Sequence, residues 1–443
     1  MPDNHEDSLK ERFFQLLDIL YKGKVSPGEM QGVATSLAKL LSEVSGVSIE
    51  QELNESPVID TDEGIAISPV QAAKCMEEVQ RSRRFLLGIA QAIKDKSHHQ
   101  KQVNVLYAGT GPYGAIVLPV LSQFDSQQLS ITLLDIHQEN VTAIKKVVNW
   151  LGVSDYIKTI VHHDALKWQP NAGDEFDIIV SETMNNFLER EPQVPIFIHL
   201  QQFLKTDGCL IPEKITVEAG YINAQERVKS QCISKIADQY NSITNIIEFD
   251  LSLARELHQS GCKKWTEQFT FPDVSGFLHN FEFRTYIEIY QGYKLDFGDC
   301  SLNLPVRHSN KSLMKGDIVQ CEYSWEHTPK WKVEYPELFS TLPILAAEVI
   351  NEDGIMFLHR FWDKYRRMPS VYFEKELARQ EAELDMQLMQ LLGLDYSEVL
   401  QYICIELPEL TDFENWIKQK AVTLRTDKVW DFNQRVILFN KSA

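Results

Sequence analysis

Disulfides, structural zinc and membrane spans have little to build on in this chain. Its 443 residues include seven cysteines (Cys75, Cys209, Cys232, Cys262, Cys300, Cys321, Cys404), odd in number, widely spaced and without a C-x-x-C pair. That disfavours a disulfide framework or a zinc cluster, and no metal is expected. No apolar run approaches the roughly 18 residues of a membrane-spanning helix. The opening MPDNHEDSLKERFF is acidic where a signal peptide carries basic residues, so a reducing cytoplasm is the expected compartment. Basic charge is also short: 44 Lys+Arg against 63 Asp+Glu leave a formal charge of −19. Nucleic acid and anionic membrane are therefore not expected as partners. An acidic surface suits a cationic substrate or plain solubility.

What is present is a globular composition, 44% hydrophobic and 24% charged, long enough for about two to four units. Apolar residues recur at helical spacing over 9 to 45 and break at Ser26-Pro27-Gly28, which reads as two amphipathic helices. Ser68-Pro69 reads as an N-cap with proline at the first helical position, opening a long helix to about Ile93. The period then changes. VNVLYAG from 103, ITLLDI (131 to 136) and FDIIVSE (176 to 182) are short buried strands separated by helical stretches, the pattern of a doubly wound parallel sheet. A helical stretch covers 196 to 204, and Asp207-Gly208 reads as a turn after which the chain leaves the sheet. Residues 226 to 260 look helical, alternating strands return in FEFRTYIEIYQGYKLDFG and GDIVQCEYSWE, and the tail from about 372, notably EKELARQEAELDMQLMQLLGL, is helical again.

The turn after the first strand is Gly109-Thr110-Gly111-Pro112-Tyr113-Gly114. Glycines there permit a tight turn and close approach of a ligand to the backbone at the next helix's N-terminus. It lacks the G-K-[ST] of a P-loop, which removes support for ATP hydrolysis. Asp135, at the end of the second strand, either accepts hydrogen bonds from the two hydroxyls of a ribose or caps a helix. Asp164, after the third probable strand, either accepts from an adenine amino group or is a solvated loop residue.

On these residues the chain resembles the class I S-adenosylmethionine-dependent methyltransferases, and more narrowly the protein arginine methyltransferase family. Glu78-Val79-Gln80-Arg81-Ser82 stands where that family has D-x-x-R-T. Ser181-Glu182-Thr183-Met184, closing nine residues later in Glu191, stands where it has S-E-W-M and a second glutamate. The resemblance covers about residues 65 to 222 and continues weakly to about 325. It implies S-adenosyl-L-methionine as cofactor, with Arg81 on its methionine carboxylate, Gly109 and Gly111 along its amino-acid part and Asp135 on the ribose. It further implies that Glu182 and Glu191 orient the guanidinium of arginine, free or in a polypeptide. In chain order, 226 to 260 matches the family's dimerisation arm, implying a homodimer.

The chemistry of two carboxylates fits such a substrate. A guanidinium is cationic and delocalised, hence a poor nucleophile. Forked hydrogen bonds to carboxylates hold its charge on the bonded nitrogens and leave another freer to attack. Read without the resemblance, Glu182, Glu189 and Glu191 are equally an exposed acidic loop, and Glu189 competes with Glu191 as the second glutamate. The chain also departs from the family. The glycine turn reads G-T-G-P-Y-G, Thr183 replaces the tryptophan, and the Thr-His-Trp loop has no clear counterpart, its place falling near Asp299-Cys300-Ser301 with His308 and the segment from His327 to Trp331 nearby.

The expected fold is α/β. It comprises an N-terminal helical region (1–98), a Rossmann-like doubly wound parallel sheet (99–213), an antiparallel, β-barrel-like domain (214–345) carrying a helical arm (226–260), and a mostly helical C-terminal extension (346–443). The expected activity is N-methylation of an arginine guanidinium. The alternatives are methyl transfer to another small-molecule acceptor, or a non-catalytic member of the fold that binds cofactor or a partner.

Overall fold

The computed structural model describes residues 3–51, 57–98, 101–223, 240–273, 279–307, 313, 315–335, 361–362, 395–406 and 408–421. Among them no helix is long and apolar enough to cross a membrane.

Two helices open the chain, α1 (Asp3–Lys22) and α2 (Pro27–Ser45). The second starts where the sequence indicates: the Ser26 side chain accepts from Glu29 N, the Glu29 side chain accepts from Ser26 N, and Pro27 lies in the first turn. A two-stranded hairpin follows, β1 (Ile59–Thr61) and β2 (Gly64–Ala66). Ser68 caps the next helix reciprocally with Gln71.

The expected long helix to Ile93 is broken. Helix α3 (Pro69–Lys74) passes into a 3₁₀ turn (Cys75–Glu77), Glu78 leaves helical geometry at φ −79°, ψ 84°, and α4 (Val79–Ser97) begins afresh. No glycine or proline marks this break. Its cause is tertiary, because the Glu78 carboxylate accepts from Ser301 N (2.7 Å) and Ser301 Oγ (2.9 Å), 223 residues away.

Five strands form the parallel sheet: β3 (Val103–Ala108), β4 (Leu129–Asp135), β5 (Ile157–His162), β6 (Phe176–Ser181) and β7 (Leu204–Ile211), in the order β5-β4-β3-β6-β7. β6 is buried at every residue, as a central parallel strand covered on both faces must be. The chain leaves β3 toward β4 on one side and reaches β6 on the other, so the crevice beyond the strand ends at β3 is a topological switch point. Helices α5 (Gln138–Leu151) and α6 (Gln193–Leu200) connect strands. After the glycine turn, however, the expected helix is only a 3₁₀ segment, Leu118–Gln123. Asp207-Gly208 is likewise no exit from the sheet. Both residues lie within β7, where a register shift between Phe176 and Ile178 on β6 absorbs them.

The antiparallel part holds two sheets. β8 (Lys214–Asn223), β9 (Tyr240–Asp250), β11 (His279–Tyr290) and β12 (Tyr293–Leu295) run in the order β12-β11-β8-β9, and a short β13 (Val306–Arg307) pairs with β11. β10 (Lys264–Thr270), β14 (Ile318–Ser324) and β15 (Lys330–Glu334) form the second sheet. The helical arm expected over 226–260 is therefore corrected: among its described residues, 240–250 is a strand laddered onto β8, and α7 (Leu251–Ser260) is helical. Ile243, Thr244, Ile246 and Ile247 are β-branched and lose side-chain freedom in a helix, whereas β8 supplies backbone partners for an extended chain. Residues 226–239 of that arm lie outside the described residues, as does the tail segment 374–394. Of the extension, α8 (Tyr396–Gln401) and α9 (Leu410–Ala421) are seen, and Phe361, Val399, Ile403, Phe413 and Ile417 form a small separate core. One continuous core otherwise unites the N-terminal helices, the parallel sheet and the antiparallel strands.

Candidate active site

The residues singled out in the sequence gather at the C-terminal ends of the parallel strands. Gly109 follows β3, Asp135 ends β4, Asp164 lies two residues past β5 and Glu182 follows β6. Three adjoining cavities open there. The first, about 640 Å³, is lined by Gly109, Gly111, Asp135, Asp164, Glu182 and Glu191 among others. The second, about 500 Å³, lies between Arg81, Glu182 and the glycine turn. The third, about 630 Å³, is bounded by Arg81, Met184, Arg190, Glu191 and Ser301. Ile67, just past the hairpin, lines all three. Ion pairs of Asp62 with Lys167 (2.7 Å), exposed, and of half-buried Glu63 with Lys263 (2.5 Å) tie the hairpin to the body of the protein.

The glycine turn is held at both ends. Tyr113 OH donates to Val47 O (2.7 Å) and lies 2.6 Å from Ser42 Oγ. Gly111 N donates to Asp135 Oδ2 (2.9 Å). Gly109 has φ +75°, and a Cβ there would sit 2.3 Å from Thr183 Cγ2, so only glycine fits beside the residue that follows Glu182.

Asp135 is 5% exposed, and burial pushes its carboxyl up, against the opposing pull of its donors. Its Oδ2 accepts from Gly111 N and Thr110 Oγ1 (3.3 Å), and its Oδ1 from His137 N (2.8 Å) and Asn140 Nδ2 (3.0 Å). Four donors already use the capacity of a carboxylate, so Asp135 braces the two strand ends, and a hydroxyl reaching it must replace one of these bonds. Beside it, Asn140 Oδ1 and His137 Nε2 are buried without a partner among the described residues, and both residues line the first cavity. These open positions suit the hydroxyls and ring atoms of a nucleoside. Sequence reading missed both residues, although each lies within five positions of Asp135. Asp164 also lines this cavity, with Oδ1 accepting from Leu166 N (2.9 Å).

Arg81 and Glu182 form the centre. The guanidinium of Arg81 donates to Glu182 Oε2 and to Glu78 Oε2 (2.9 Å), and the Arg81 and Glu182 side chains are each 8% exposed. Burial raises the Glu182 carboxyl while Arg81 opposes the rise. Glu182 Oε1 is buried and has no hydrogen-bond partner among the described residues. Arg81 thus faces the two carboxylates as well as the second cavity. Glu78 and Ser301, which complete this chain of contacts, were missed as functional candidates. The signal was present for Glu78, which opens the E-x-x-R-S motif, and for Ser301, which ends the Asp299-Cys300-Ser301 stretch at the place of the missing loop.

The two competing glutamates separate cleanly. Glu189 Oε1 accepts from Trp331 N (3.1 Å), tying the loop to β15. Glu191 is 9% exposed and lines both the first and third cavities. Burial, and secondarily the charge of Glu182, push its carboxyl up to about 7. The loop around them is contorted, with Phe187, Leu188 and Arg190 at φ 59°, 57° and 70°. Phe187 is stacked on Trp331 with ring centroids 5.2 Å apart, and Trp331 Nε1 donates to Phe187 O (2.8 Å). Trp331, from the segment considered for the missing Thr-His-Trp loop, therefore supports the glutamate loop from behind, while Ser301 reaches the centre.

No protein-family profile matches the chain, and no curated protein does. Solved structures with a similar fold include the PRMT1 enzyme–prozyme heterotetrameric complex of Trypanosoma brucei with AdoHcy. It is 14% identical, over 60% of this chain and 93% of that one, with a TM-score of 0.39. Another is Arabidopsis thaliana protein arginine methyltransferase 10 in an open conformation, 12% identical over 58% of this chain and 94% of that one, with a TM-score of 0.38. The likeness is of fold, a Rossmann-like sheet followed by an antiparallel β domain, and at TM-scores this low it bears no functional weight.

Proposed function

We propose that this chain is an S-adenosylmethionine-dependent N-methyltransferase whose acceptor is the guanidinium of an arginine. The observation that carries the reading is Glu182 Oε1, a buried carboxylate oxygen with no donor among the described residues, on a residue that lines the first and second cavities. Leaving such an atom unpaired is costly, and a guanidinium N–H placed on it removes the cost.

The cavities and their open polar atoms fit the cofactor. Asn140, His137 and Asp164 would take its nucleoside, Gly109 and Gly111 would let its amino-acid part approach the backbone, and Arg81 would receive its carboxylate. When bound, the cofactor supplies a sulfonium methyl to be displaced by nitrogen. The chain's own residues then have three tasks. Arg81 opposes the burial that disfavours the charged form of Glu182. Glu182 Oε1 and Glu191 hold the guanidinium from two sides, orienting one nitrogen and restraining its charge. Glu191, with a pKa near neutrality, accepts the proton released as the new N–C bond forms and returns it to solvent.

The test is mass spectrometry after incubation with S-adenosylmethionine and, separately, free arginine and an arginine-rich peptide pool. A gain of one methyl mass on an arginine nitrogen, located by fragmentation, is expected. A methyl on a different acceptor, or none on any guanidine, refutes the assignment.

A further inference from the structure

The loop between the two glutamates carries a cation that the chemistry above does not use. Arg190 sits at φ +70°, a conformation that L-residues other than Asn and Asp adopt mainly where the surroundings impose it. The imposition is visible: its N donates to Pro329 O (2.8 Å), and its carbonyl accepts from Ile65 N on the hairpin (2.9 Å). Gly64 lies so close that a Cβ there would meet this carbonyl at 3.0 Å. The backbone of Arg190 is thus fixed from two elements, yet its side chain is exposed and makes no hydrogen bond or ion pair with a described residue. Arg190 lines the third cavity. Consecutive residues therefore bring to one cavity a buried carboxylate, Glu191, and an exposed guanidinium without a partner among the described residues.

We propose that the third cavity takes a free amino acid rather than a peptidyl arginine, with Arg190 gripping its α-carboxylate while the side-chain guanidinium reaches Glu191, which this cavity shares with the first, where Glu182 stands. This rests on the reading of Glu182 and Glu191 as the residues that hold a guanidinium and narrows it. A guanidinium fork matches a carboxylate bidentately. A peptidyl arginine offers only a neutral amide there, and an arginine-rich peptide brings further positive charge against Arg190, so the residue both selects and rejects.

The experiment is calorimetric titration of the full chain, saturated with S-adenosylhomocysteine, with L-arginine, with agmatine (the same side chain without the carboxylate) and with an arginine-rich peptide. Wild type is expected to bind arginine at least about tenfold more tightly than agmatine, the gain of a charge-assisted hydrogen bond. In Arg190→Gln that gap closes through loss of arginine affinity while agmatine binding stays as it was. Arg190→Lys, which keeps the charge without the fork, should fall between. Equal affinities for arginine and agmatine in wild type, equal weakening of both by Arg190→Gln, tighter binding of the peptide, or binding of none of the three would overturn the proposal. Turnover with S-adenosylmethionine, measured in parallel, separates the two readings: selective arginine binding without methyl transfer sinks the transferase assignment and leaves the carboxylate grip standing.

Discussion

Arg81 and Glu182, 101 residues apart in sequence, meet in a buried ion pair that occupies one carboxylate oxygen of Glu182 and leaves the other bare. Replacing Glu182 with Gln keeps the shape and removes the charge that holds the acceptor. Turnover should fall by about 10² to 10³, the scale of a lost electrostatic contact to the reacting group. Arg81 retains Glu78, so affinity for S-adenosylhomocysteine by calorimetry should move by less than about threefold. Turnover at the wild-type rate would remove Glu182 from the chemistry.

Glu191 links rate and stability in opposite directions. With its carboxyl pushed up to about 7, it is protonated below that pH and can neither hold a cation nor take a proton. The wild-type kcat/KM should therefore rise as pH passes upward through about 7, and that limb should vanish in Glu191→Gln. For stability, a raised pKa means the fold prefers the protonated form. The contribution is full below the unfolded value and is lost as pH rises through about 7. Urea denaturation should show Glu191→Gln stabilised relative to wild type by up to roughly 3 kcal/mol at about pH 8, and hardly changed near pH 4. Equal stability at both values would mean that Glu191 is not buried as the structure has it.

Glu189 provides the contrast. Its carboxylate holds Trp331 N, so Glu189→Ala should cost about 1 kcal/mol of stability in thermal unfolding. Turnover per folded molecule should stay within a fewfold of wild type. A loss as large as that of Glu191→Gln would exchange the roles of the two.

Gly109→Ala combines a left-handed backbone with a clash against Thr183 Cγ2, and should destabilise by about 1 to 3 kcal/mol. Thr183→Ser removes the clashing methyl and keeps the hydroxyl, so adding it to Gly109→Ala should return part of the loss. Strictly additive effects of the two changes in denaturant titrations would show that the contact does not govern this position.

Some of this was legible because it is local. The buried runs of β3, β4 and β6, the capped starts at Ser26 and Ser68, and the glycine turn follow from residue types within a few positions of one another. The break at Glu78 was not legible, since the residues favour a continuous helix and only a partner 223 positions away pulls the carboxylate aside. The strand at 240–250 was misread for a related reason: its isoleucines satisfy either period, and β8 decides between them by supplying hydrogen bonds. The two glutamates of the 189–191 segment are chemically identical in the sequence. Trp331, arriving from β15, engages one and leaves the other to the cavities.

The sequence alone determined which chemistry-bearing residues stand at the ends of the parallel strands, because strand and turn propensities are properties of short segments. Tertiary structure decided which of those residues face one another. Arg81 on Glu182, Glu78 on Ser301, and Arg190 beside Glu191 on the third cavity are outcomes of long-range packing, in which a charge buried by the fold must find its counter-charge wherever the chain brings one.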